Sequence, residues 1–293
     1  MRSNLLPKLS IIIPTFNAQK YLPLCLESIK KQDYPKNKLE ILIVDGGSAD
    51  RTLTIAKQYR AKIIHNPKKI AEYGKTIGIK SSTGKYFILL DSDNEIVETD
   101  WLRKMVVPML KEKNIFGVEN PLSFDQKLSS LNRYFARMRI ADPLARLLAS
   151  RPKNIETTNE YRIMRFYPGA ILITGANGFL WNKDLVMKNQ TWSKKFEEAN
   201  YGTYLHTKVK ADYAIPRGAS VRHYYCEGLF SYANKRAKIA EKINERLRNK
   251  EYTWVVLTNK VKFIAICLFL GTLIGPVLEA IYRSIKEKTF DWL

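Results

Sequence analysis

The sequence predicts an α/β fold built on a mostly parallel sheet flanked by helices, and three observations support this prediction. The first hundred residues alternate between short apolar runs and longer segments with helical periodicity. The apolar run from Tyr86 to Leu90 has no clean polar alternation, which is typical of a strand covered on both faces. Acids follow such runs at Asp45, Asp91 and Asp93. Strands and helices alternating at this spacing indicate right-handed βαβ units and a parallel sheet.

The first 91 residues contain four predicted strands and three predicted helices. The strands are expected at 9–13, 39–45, 61–65 and 85–91, and the helices at 18–32, 48–59 and 69–81. Asn17 and Ser48 are expected to cap the first two helices, because short polar side chains accept hydrogen bonds from the free amides of a helix start. Asp50 is interpreted as part of the same turn and cap. Asp45 is expected to project over the sheet edge after its strand.

The middle of the chain is less regular. A helix with a break near Pro143 is expected over 125–151. A strand, a Gly-rich turn and a helix are expected in that order over 170–186. Two short strands are expected within 211–225, around Pro216 and Gly218. His223, which follows in the second of them, is either a packing residue or a second metal contact.

Asp91 and Asp93 lie where a buried strand meets solvent. In open α/β sheets the ligand binds just beyond the carboxyl ends of the strands. An acid-x-acid pair at that point can hold a hard cation together with the anion that the cation carries. The alternative is a solvated turn whose Asp side chains cap the next helix.

The composition points to an anionic partner. The 293 residues include 49 Lys and Arg against 28 Asp and Glu, a formal net charge of +21. Such a charge suggests nucleic acid, a phospholipid surface or a phosphorylated substrate. No recognised nucleic-acid motif is present, and residues 201–262, with 13 basic against 5 acidic residues, adjoin an apolar segment. We therefore expect no nucleic-acid partner. Three widely separated cysteines predict reduced thiols in a cytoplasmic catalytic domain.

Residues 227–293 are expected to form a membrane-associated appendage to a catalytic domain that covers 1–226. A basic helix precedes 263–278, sixteen residues without a charge. A spanning helix needs about 20 apolar residues, so a re-entrant or interfacial element fits better, with a buried core helix as the alternative. We therefore expect the protein to bind an anionic membrane surface, with its catalytic domain on the cytoplasmic side.

Three segments in this order, IIIPTFN, LIVDGGSAD and GKYFILLDSD, resemble the family 2 glycosyltransferases. Members of that family have a GT-A fold and bind nucleotide sugars. The likeness extends more loosely to TGANGFLW and IPRGASVRH, so it covers roughly residues 1–225. An acid-x-acid pair alone is a weak signal, whereas three segments at matching strand ends and spacing form a strong one.

The resemblance implies a nucleotide site at the strand ends. Pro14, Thr15 and Phe16 would line the base and ribose, Asp45 would hydrogen-bond the base edge, and Asp91 would approach the ribose. These roles follow from the family and not from the spacing of the residues.

The resemblance also implies a divalent metal. Asp93, with Asp91 beside it, would coordinate Mg²⁺ or Mn²⁺ bridging the diphosphate, where a hard cation stabilises the charge of the leaving group. Lys75 falls where the family often has Arg and would serve the phosphates as a point charge. Thr76 stands where many relatives have Asn.

The general base is the main departure from the family pattern. An inverting transfer needs a carboxylate near the acceptor hydroxyl, which the family usually supplies in a Glu-Asp pair upstream of the strand expected from Ala211. Counting back without gaps lands on Asn200, which cannot serve. A shift of two or three residues brings in Glu197 and Glu198, and Glu198 is the chosen base. The alternative is two solvated acids at a helix start.

The implied function is inverting, metal-dependent transfer of a sugar from a UDP- or GDP-sugar to a lipid-linked or glycan acceptor at the membrane. One alternative is a membrane-bound nucleotide-sugar-binding protein without transfer activity. Another is a sugar-phosphate nucleotidyltransferase. Enzymes of that class are expected to have a Gly-rich basic loop after the first strand, and PTFNAQKY is not such a loop.

Overall fold

The structure is a computed structural model that describes residues 5–138, 149–172, 174–189, 196–248, 268 and 274–288. The chain divides into two compact units. The first runs to Pro121 and resumes over Arg151–His223, and the second comprises Leu122–Ser150 and the chain from Tyr224 onwards.

The strands of the described residues all belong to the first unit. In chain order they are β1 (Leu9–Thr15), β2 (Leu39–Asp45), β3 (Lys62–His65), β4 (Tyr86–Leu89), β5 (Asn94–Ile96), β6 (Ile115–Val118), β7 (Asn154–Thr157), β8 (Tyr161–Arg165), β9 (Phe179–Asn182), β10 (Asp212–Pro216) and β11 (Val221–His223). The four strands expected in the first 91 residues are confirmed.

Helices flank these strands and also build the second unit. They are α1 (Leu22–Lys30), α2 (Thr52–Gln58), α3 (Ala71–Ser81), α4 (Trp101–Lys111), α5 (Ser130–Met138), α6 (Lys183–Lys188), α7 (Glu198–Tyr204), α8 (Leu229–Arg248) and α9 (Ile274–Glu287). A short 3₁₀ turn, Lys36–Lys38, precedes β2, and a π-helical turn, Leu205–Val209, continues α7.

Nine strands of the described residues form one sheet in the order β3-β2-β1-β4-β9-β6-β10-β8-β7. The half made by β1 to β4 is parallel, as the alternating pattern predicts. The other half is mixed, because β9 runs antiparallel between β4 and β6, and β7 and β8 form an antiparallel extension beside β10. A second, two-stranded sheet pairs β5 with β11.

Side chains of alternating strand residues enter two separate apolar cores. On one face Ile11 and Ile13 of β1 pack with residues of α1 and α4, among them Leu26 and Trp101. On the other face Ile12 belongs to a core that includes Ile79 of α3 and Tyr201 of α7. The absence of polar alternation in these strands is therefore explained, because both faces of the parallel half are buried.

The two predicted helix caps are wrong. Helix α1 begins at Leu22, because the amides of Asn17 and Ala18 are bonded to Ser48 Oγ at 2.8 Å and Thr52 Oγ1 at 2.8 Å in the loop after β2. The Asn17 side chain accepts from the Ala49 amide at 2.9 Å instead of capping. Ser48 is likewise held in this crosslinked loop, and α2 begins at Thr52.

Asp50 has the turn role expected of it. Its carboxylate accepts hydrogen bonds from the amides of Thr52 at 2.9 Å and Gln19 at 3.1 Å. It thus joins the start of α2 to the loop after β1.

The order of elements over 170–186 also differs from the prediction. Residues 170–172 are not in a strand, and the strand β9 follows the Gly-rich turn, directly before α6. The turn itself has left-handed backbone at Gly175, Asn177 and Gly178, with φ of 108°, 52° and 93°. The two short strands predicted around Pro216 and Gly218 are confirmed as β10 and β11, which belong to different sheets.

The second unit contains α5, α8 and α9. An aromatic cluster joins α5 to α8, with Phe135 and Tyr232 ring centroids 4.7 Å apart and Tyr225 against both. The predicted basic helix is confirmed as α8. The expected helix beyond residue 138, its break near Pro143 and most of the uncharged run 263–278 lie outside the described residues. Within the part of the chain that the structure describes, no helix is long and apolar enough to cross a membrane.

Candidate active site

The strand ends of β1, β2 and β4 meet at one edge of the parallel half-sheet. Thr15 and Asp45 are register partners at the ends of β1 and β2, and the Gly46 amide donates to the Thr15 carbonyl at 2.8 Å. The Leu90 amide, just after β4, donates to the carbonyl of Ile12 at 3.1 Å. Because parallel strands end on the same side, this register brings the predicted nucleotide residues to one edge.

Asp45 is the centre of the loop after β2. Its carboxylate accepts four hydrogen bonds, from Thr15 Oγ1, Ser48 Oγ and the amides of Gly47 and Ser48, at 2.6 to 2.8 Å. Burial raises the pKa of this carboxyl, but the hydrogen bonds from Ser48, Thr15 and Gly47 outweigh burial and leave the pKa lowered. Asp45 is therefore ionised and fixed, and it organises its own loop besides any contact to a ligand.

Pro14 and Phe16 flank this arrangement. Pro14 is half-buried at the end of β1, whereas the Phe16 side chain is 56% exposed and lies against Gly46. The exposed ring offers an apolar face to a ligand beside the Asp45 loop, whereas the Asp45 carboxylate is buried and its four acceptor sites are occupied by the loop.

Asp91, Asp93 and His223 form a cluster beyond β4. One ligand atom from each of the three lies within 4.8 Å of the others, and His223 Nε2 is 3.4 Å from Asp93 Oδ1. The pairing of β11 with β5 brings His223 to this place, because His223 and Asn94 are register partners. Of the two interpretations of His223, a second metal contact requires this position, and the metal contact itself stays a prediction.

Two asparagines that sequence reasoning missed hold this turn. Asn94, 1% exposed, accepts from the Asp91 amide at 3.1 Å and donates to Asn177 Oδ1 at 3.3 Å. The Asn177 carbonyl in turn accepts from Asn120 at 2.8 Å. An Asn three residues after an Asp is a turn signal that the sequence does contain, but the contact to Asn177 spans 83 residues.

Lys75 and Glu198 form a buried ion pair, each side chain being 11% exposed. Burial alone lowers the pKa of Lys75, but the charges of Glu198 and Asp91 outweigh it and raise that pKa, so the lysine stays charged. Burial raises the pKa of Glu198 above its usual value despite the attraction of Lys75. Glu197 precedes α7 as its half-buried cap residue, with no capping hydrogen bond from its side chain.

Thr76 and Gly175 fix the surroundings of Glu198. Thr76 Oγ1 accepts from the Phe196 amide at 2.8 Å, which ties α3 to the segment that enters α7. A Cβ atom at Gly175 would lie 2.7 Å from Glu198 Cβ and 2.5 Å from Trp181. The Gly-rich turn therefore approaches Glu198 at one end. Through Asn177, its other end approaches residues 91–94, here called the acidic turn.

Comparison with known proteins places this site in a family. Residues 10–173, more than half of the chain, match the model of glycosyl transferase family 2. A curated dolichyl N-acetyl-α-D-glucosaminyl phosphate 3-β-D-2,3-diacetamido-2,3-dideoxy-β-D-glucuronosyltransferase of Methanococcus voltae is 41% identical over 105 residues, covering 33% of this chain and 32% of the relative. The poly(ribitol-phosphate) β-N-acetylglucosaminyltransferase TarS of Staphylococcus aureus is 34% identical over 95 residues, covering 30% of this chain and 17% of TarS. These alignments thus span about a third or less of either relative.

Solved structures show the same fold. The crystal structure of S. aureus TarS 1–349 in complex with UDP-GlcNAc gives a TM-score of 0.53 at 18% identity, covering 77% of this chain and 60% of that chain. Its complex with UDP gives 0.51 at 20% identity, covering 73% and 59%. The predicted GT-A-type fold is confirmed. Because the family match runs from β1 through the acidic turn and as far as residue 173, the chain belongs to glycosyltransferase family 2.

Proposed function

We propose that the protein is an inverting, metal-dependent glycosyltransferase that moves a sugar from a UDP- or GDP-sugar to a lipid-linked or glycan acceptor at the membrane. The observation that carries this proposal is the convergence of Asp91, Asp93 and His223 at the sheet edge where Asp45 also ends its strand. In a turn that served only to cap a helix, there would be no reason for an imidazole 130 residues away in sequence to lie beside the carboxylates.

The nucleotide would bind over the ends of β1 and β2. Pro14, Thr15 and Phe16 would line the base and ribose, and the exposed Phe16 ring offers the apolar surface for this contact. Asp45, ionised, would accept a hydrogen bond from a base N–H in place of one of its four loop hydrogen bonds, while Asp91 would face the ribose. The TarS structures bear UDP and UDP-GlcNAc, so UDP-sugars are the first donors to test.

Asp91, Asp93 and His223 fit a hard divalent ion such as Mg²⁺ or Mn²⁺. Two carboxylates and an imidazole with ligand atoms within 4.8 Å match the donors that these ions accept. When bound, the ion would supply Lewis-acid stabilisation of the diphosphate leaving group.

Glu198 would take the proton of the acceptor hydroxyl. Its raised pKa makes it a stronger base than an exposed glutamate. The Gly-rich turn that contacts Glu198 at Gly175 also bonds Asn94, next to Asp93, through Asn177. Glu197, next to it, is the other carboxylate available for this role.

The catalytic domain would cover residues 1–226, and residues 227–293 would bind an anionic membrane surface from the cytoplasmic side. Helix α8 carries six Lys and Arg against two Glu. Helix α9 presents its apolar side to solvent, with five side chains 42 to 74% exposed: Val277, Leu278, Ile281, Tyr282 and Ile285. Its Ser284 is buried and its Glu287 pairs with Arg137 of α5 at 3.1 Å. An outward apolar stripe beside basic residues is typical of a helix lying in a membrane interface.

Vesicle sedimentation tests the membrane assignment. Full-length protein should bind vesicles that contain anionic lipid and should stay bound in high salt, because the apolar contact is not screened. The double variant Leu278→Glu and Ile285→Glu should lose most of this binding. The control Ile155→Glu adds an acid at a 44% exposed apolar position on β7 and should bind normally. Equal binding of all three proteins would contradict the assignment.

A transfer assay tests the catalytic proposal. Thermal shifts against UDP, GDP and their common sugar derivatives, with and without Mn²⁺, identify the donor, which is then assayed with lipid-phosphate and oligosaccharide acceptors. Metal-dependent stabilisation by a nucleotide sugar followed by acceptor-dependent release of nucleoside diphosphate is the expected result.

A second candidate is a nucleotide-sugar-binding protein without transfer activity. The observation that favours it is the Lys75–Glu198 pair, which engages the proposed base. Donor binding without turnover on any acceptor would support this candidate instead.

A further inference from the structure

Lys75 and Glu198 were each expected to act on a ligand, yet they bind each other. Lys75 Nζ contacts Glu198 Oε1 across 123 residues of sequence, from the middle of α3 to the first residue of α7. Neither side chain is more than 11% exposed. The pair occupies a carboxylate oxygen of Glu198 and opposes the rise that burial causes in its pKa, so release of Lys75 would make Glu198 a better proton acceptor.

The surroundings of Lys75 favour a change of partner. Among the neighbouring charges, Glu198 raises the pKa of Lys75 most, followed by Asp91 and then Glu72. The Gly-rich turn contacts Glu198 at Gly175 and bonds Asn94, next to Asp93, through Asn177, so the Lys75–Glu198 pair lies near the acids where the diphosphate of a donor would bind. A diphosphate carries more negative charge than one carboxylate and presents several acceptor oxygens, so it competes effectively for a buried ammonium.

The anchors of Glu198 do not depend on Lys75. Thr76 holds the Phe196 amide, and Gly175 packs on Glu198 Cβ. The Glu198 backbone can therefore stay in place when the lysine turns away.

We propose that Lys75 is a positioning residue that holds Glu198 until the donor diphosphate draws its ammonium away, so that the carboxylate becomes available to the acceptor only after the donor has bound. This inference rests on the proposed function and deepens it. It predicts a compulsory order, donor before acceptor, and it gives the site a way to keep its base engaged while no donor is present.

A double-mutant cycle on nucleotide affinity tests the inference. UDP binding is measured by calorimetry with Mn²⁺ for full-length wild type, Glu198→Gln, Lys75→Met and the double variant. Glu198→Gln should bind UDP about three- to tenfold more tightly, because the lysine no longer has to leave a partner. In the Lys75→Met background, Glu198→Gln should change UDP affinity by less than about twofold. Uridine, which has no phosphate, should bind all four proteins alike.

Two further variants separate the exchange from other effects. Glu72→Gln removes a negative charge that influences Lys75 less than Glu198 does. It should therefore tighten UDP binding less than Glu198→Gln does. If Lys75→Met fails to fold, Lys75→Gln takes its place in the cycle, because it also removes the charge, and the effect of Glu198→Gln on UDP affinity should again fall below about twofold. If Glu72→Gln and Glu198→Gln tighten UDP binding equally, the tighter binding comes only from removing a negative charge near the site. The proposed exchange of partners by Lys75 is then wrong.

The outcomes also separate this inference from the proposed function. UDP affinity that is unchanged in Glu198→Gln overturns the exchange while leaving the glycosyltransferase proposal standing. No binding of UDP or GDP by wild type with Mn²⁺ overturns both. Initial-rate kinetics give a readout that a purely structural pair would not affect, because product inhibition by UDP should follow an ordered pattern with donor first.

Discussion

The candidate site is made by two regions of the first unit that hold their side chains in different ways. The strand-end region comprises residues 14–16, 45–48 and 91–94, and its Asp45 is fixed by amides and hydroxyls at the neighbouring strand ends. Asp45 takes all four of its hydrogen bonds there. The distal region comprises residues 174–178, 196–206 and 221–223. It is joined to the strand-end region by the long-range pairs Asp93 with His223 and Asn94 with Asn177, and to helix α3 by the pair Lys75 with Glu198.

This difference indicates which side of the site changes when a ligand binds. A carboxylate with several local hydrogen bonds loses them all if it moves, whereas a side chain held by one partner can exchange that partner for a ligand. Substitutions in the strand-end region should therefore remove one function each. Substitutions in the distal region should alter how binding and chemistry are coupled.

Asp93→Asn should have the largest effect. We expect transfer to fall by about a thousandfold or more, because an amide oxygen is a weaker ligand than a carboxylate for a hard cation. Folding should change little, since the residue lies at a strand end. Acceptor-dependent release of nucleoside diphosphate, assayed in chelator-treated buffer with added Mg²⁺ or Mn²⁺, measures the change. The control Asp184→Asn, exposed in the first turn of α6, should be fully active. Retained activity in Asp93→Asn would show that the metal assignment is wrong.

Glu198→Gln comes next, with an expected loss of turnover of about 10²- to 10⁴-fold, as for removal of a general base. Donor binding should survive, because the nucleotide residues lie in the strand-end region. Glu197→Gln is the matched control and should keep most of its activity. If Glu197→Gln is the inactive variant, the assignment is off by one residue. If both variants turn over normally, the base lies elsewhere.

The contrast between the regions also explains what the sequence could predict. Strands β1 to β4 were predictable because a strand buried on both faces has a continuous apolar run, and the carboxyl ends of parallel strands share an edge. That logic brings Asp45, Asp91 and Asp93 together without any knowledge of distant contacts. The strand-end loops were less predictable. Asn17 and Ser48 look like helix caps in isolation, but their hydrogen bonds join two loops across 31 and 32 residues of sequence.

The distal region had no comparable local signal. His223 reaches Asp93 only because β11 pairs with β5, and a three-residue strand has too few side chains to reveal its partner. The sequence predicts the strand of 170–186 before its Gly-rich turn, because residues 170–174 are as apolar as β9. What separates them is that β9 has neighbours on both sides, β4 and β6. The pairing of Lys75 with Glu198 is a tertiary fact that neither residue's own segment encodes.

Asp45 should show a smaller effect that tests the independence of the strand-end region. Asp45→Ala should weaken UDP or GDP binding by about tenfold and slow the chemistry of the bound donor less, since both the base contact and its loop would be lost. Ser48→Ala separates these causes. It removes one of the four hydrogen bonds to Asp45 and the acceptor of the Asn17 amide but no proposed ligand contact, so its effect should be at most about threefold. Equal losses in the two variants would mean that Asp45 acts only by holding its loop.

The smallest expected effect lies in the distal region, at His206. Both of its ring nitrogens face oxygen acceptors, Nδ1 toward Asp212 Oδ1 at 3.0 Å and Nε2 toward the Tyr167 carbonyl at 3.0 Å. The hydrogen bond to Asp212 raises the pKa of His206, against burial, which lowers it. Arg165 lies 3.5 Å from the other oxygen of Asp212 and favours the same carboxylate form. A doubly protonated ring therefore satisfies this site.

A group whose folded pKa is raised contributes stability that is fully present below its unfolded pKa, about 6.5 for His, and is lost as pH rises through the folded value. His206→Gln should therefore lower the free energy of unfolding more at pH 5.5 than at pH 8.5, by about 1 kcal/mol. Urea titrations of both proteins at the two pH values measure this difference. His65→Gln, exposed at the end of β3, controls for the loss of an imidazole. A His206→Gln loss that is the same at both pH values would mean that the ring is neutral in the folded protein and that the π-helical turn after α7 is held without a charge.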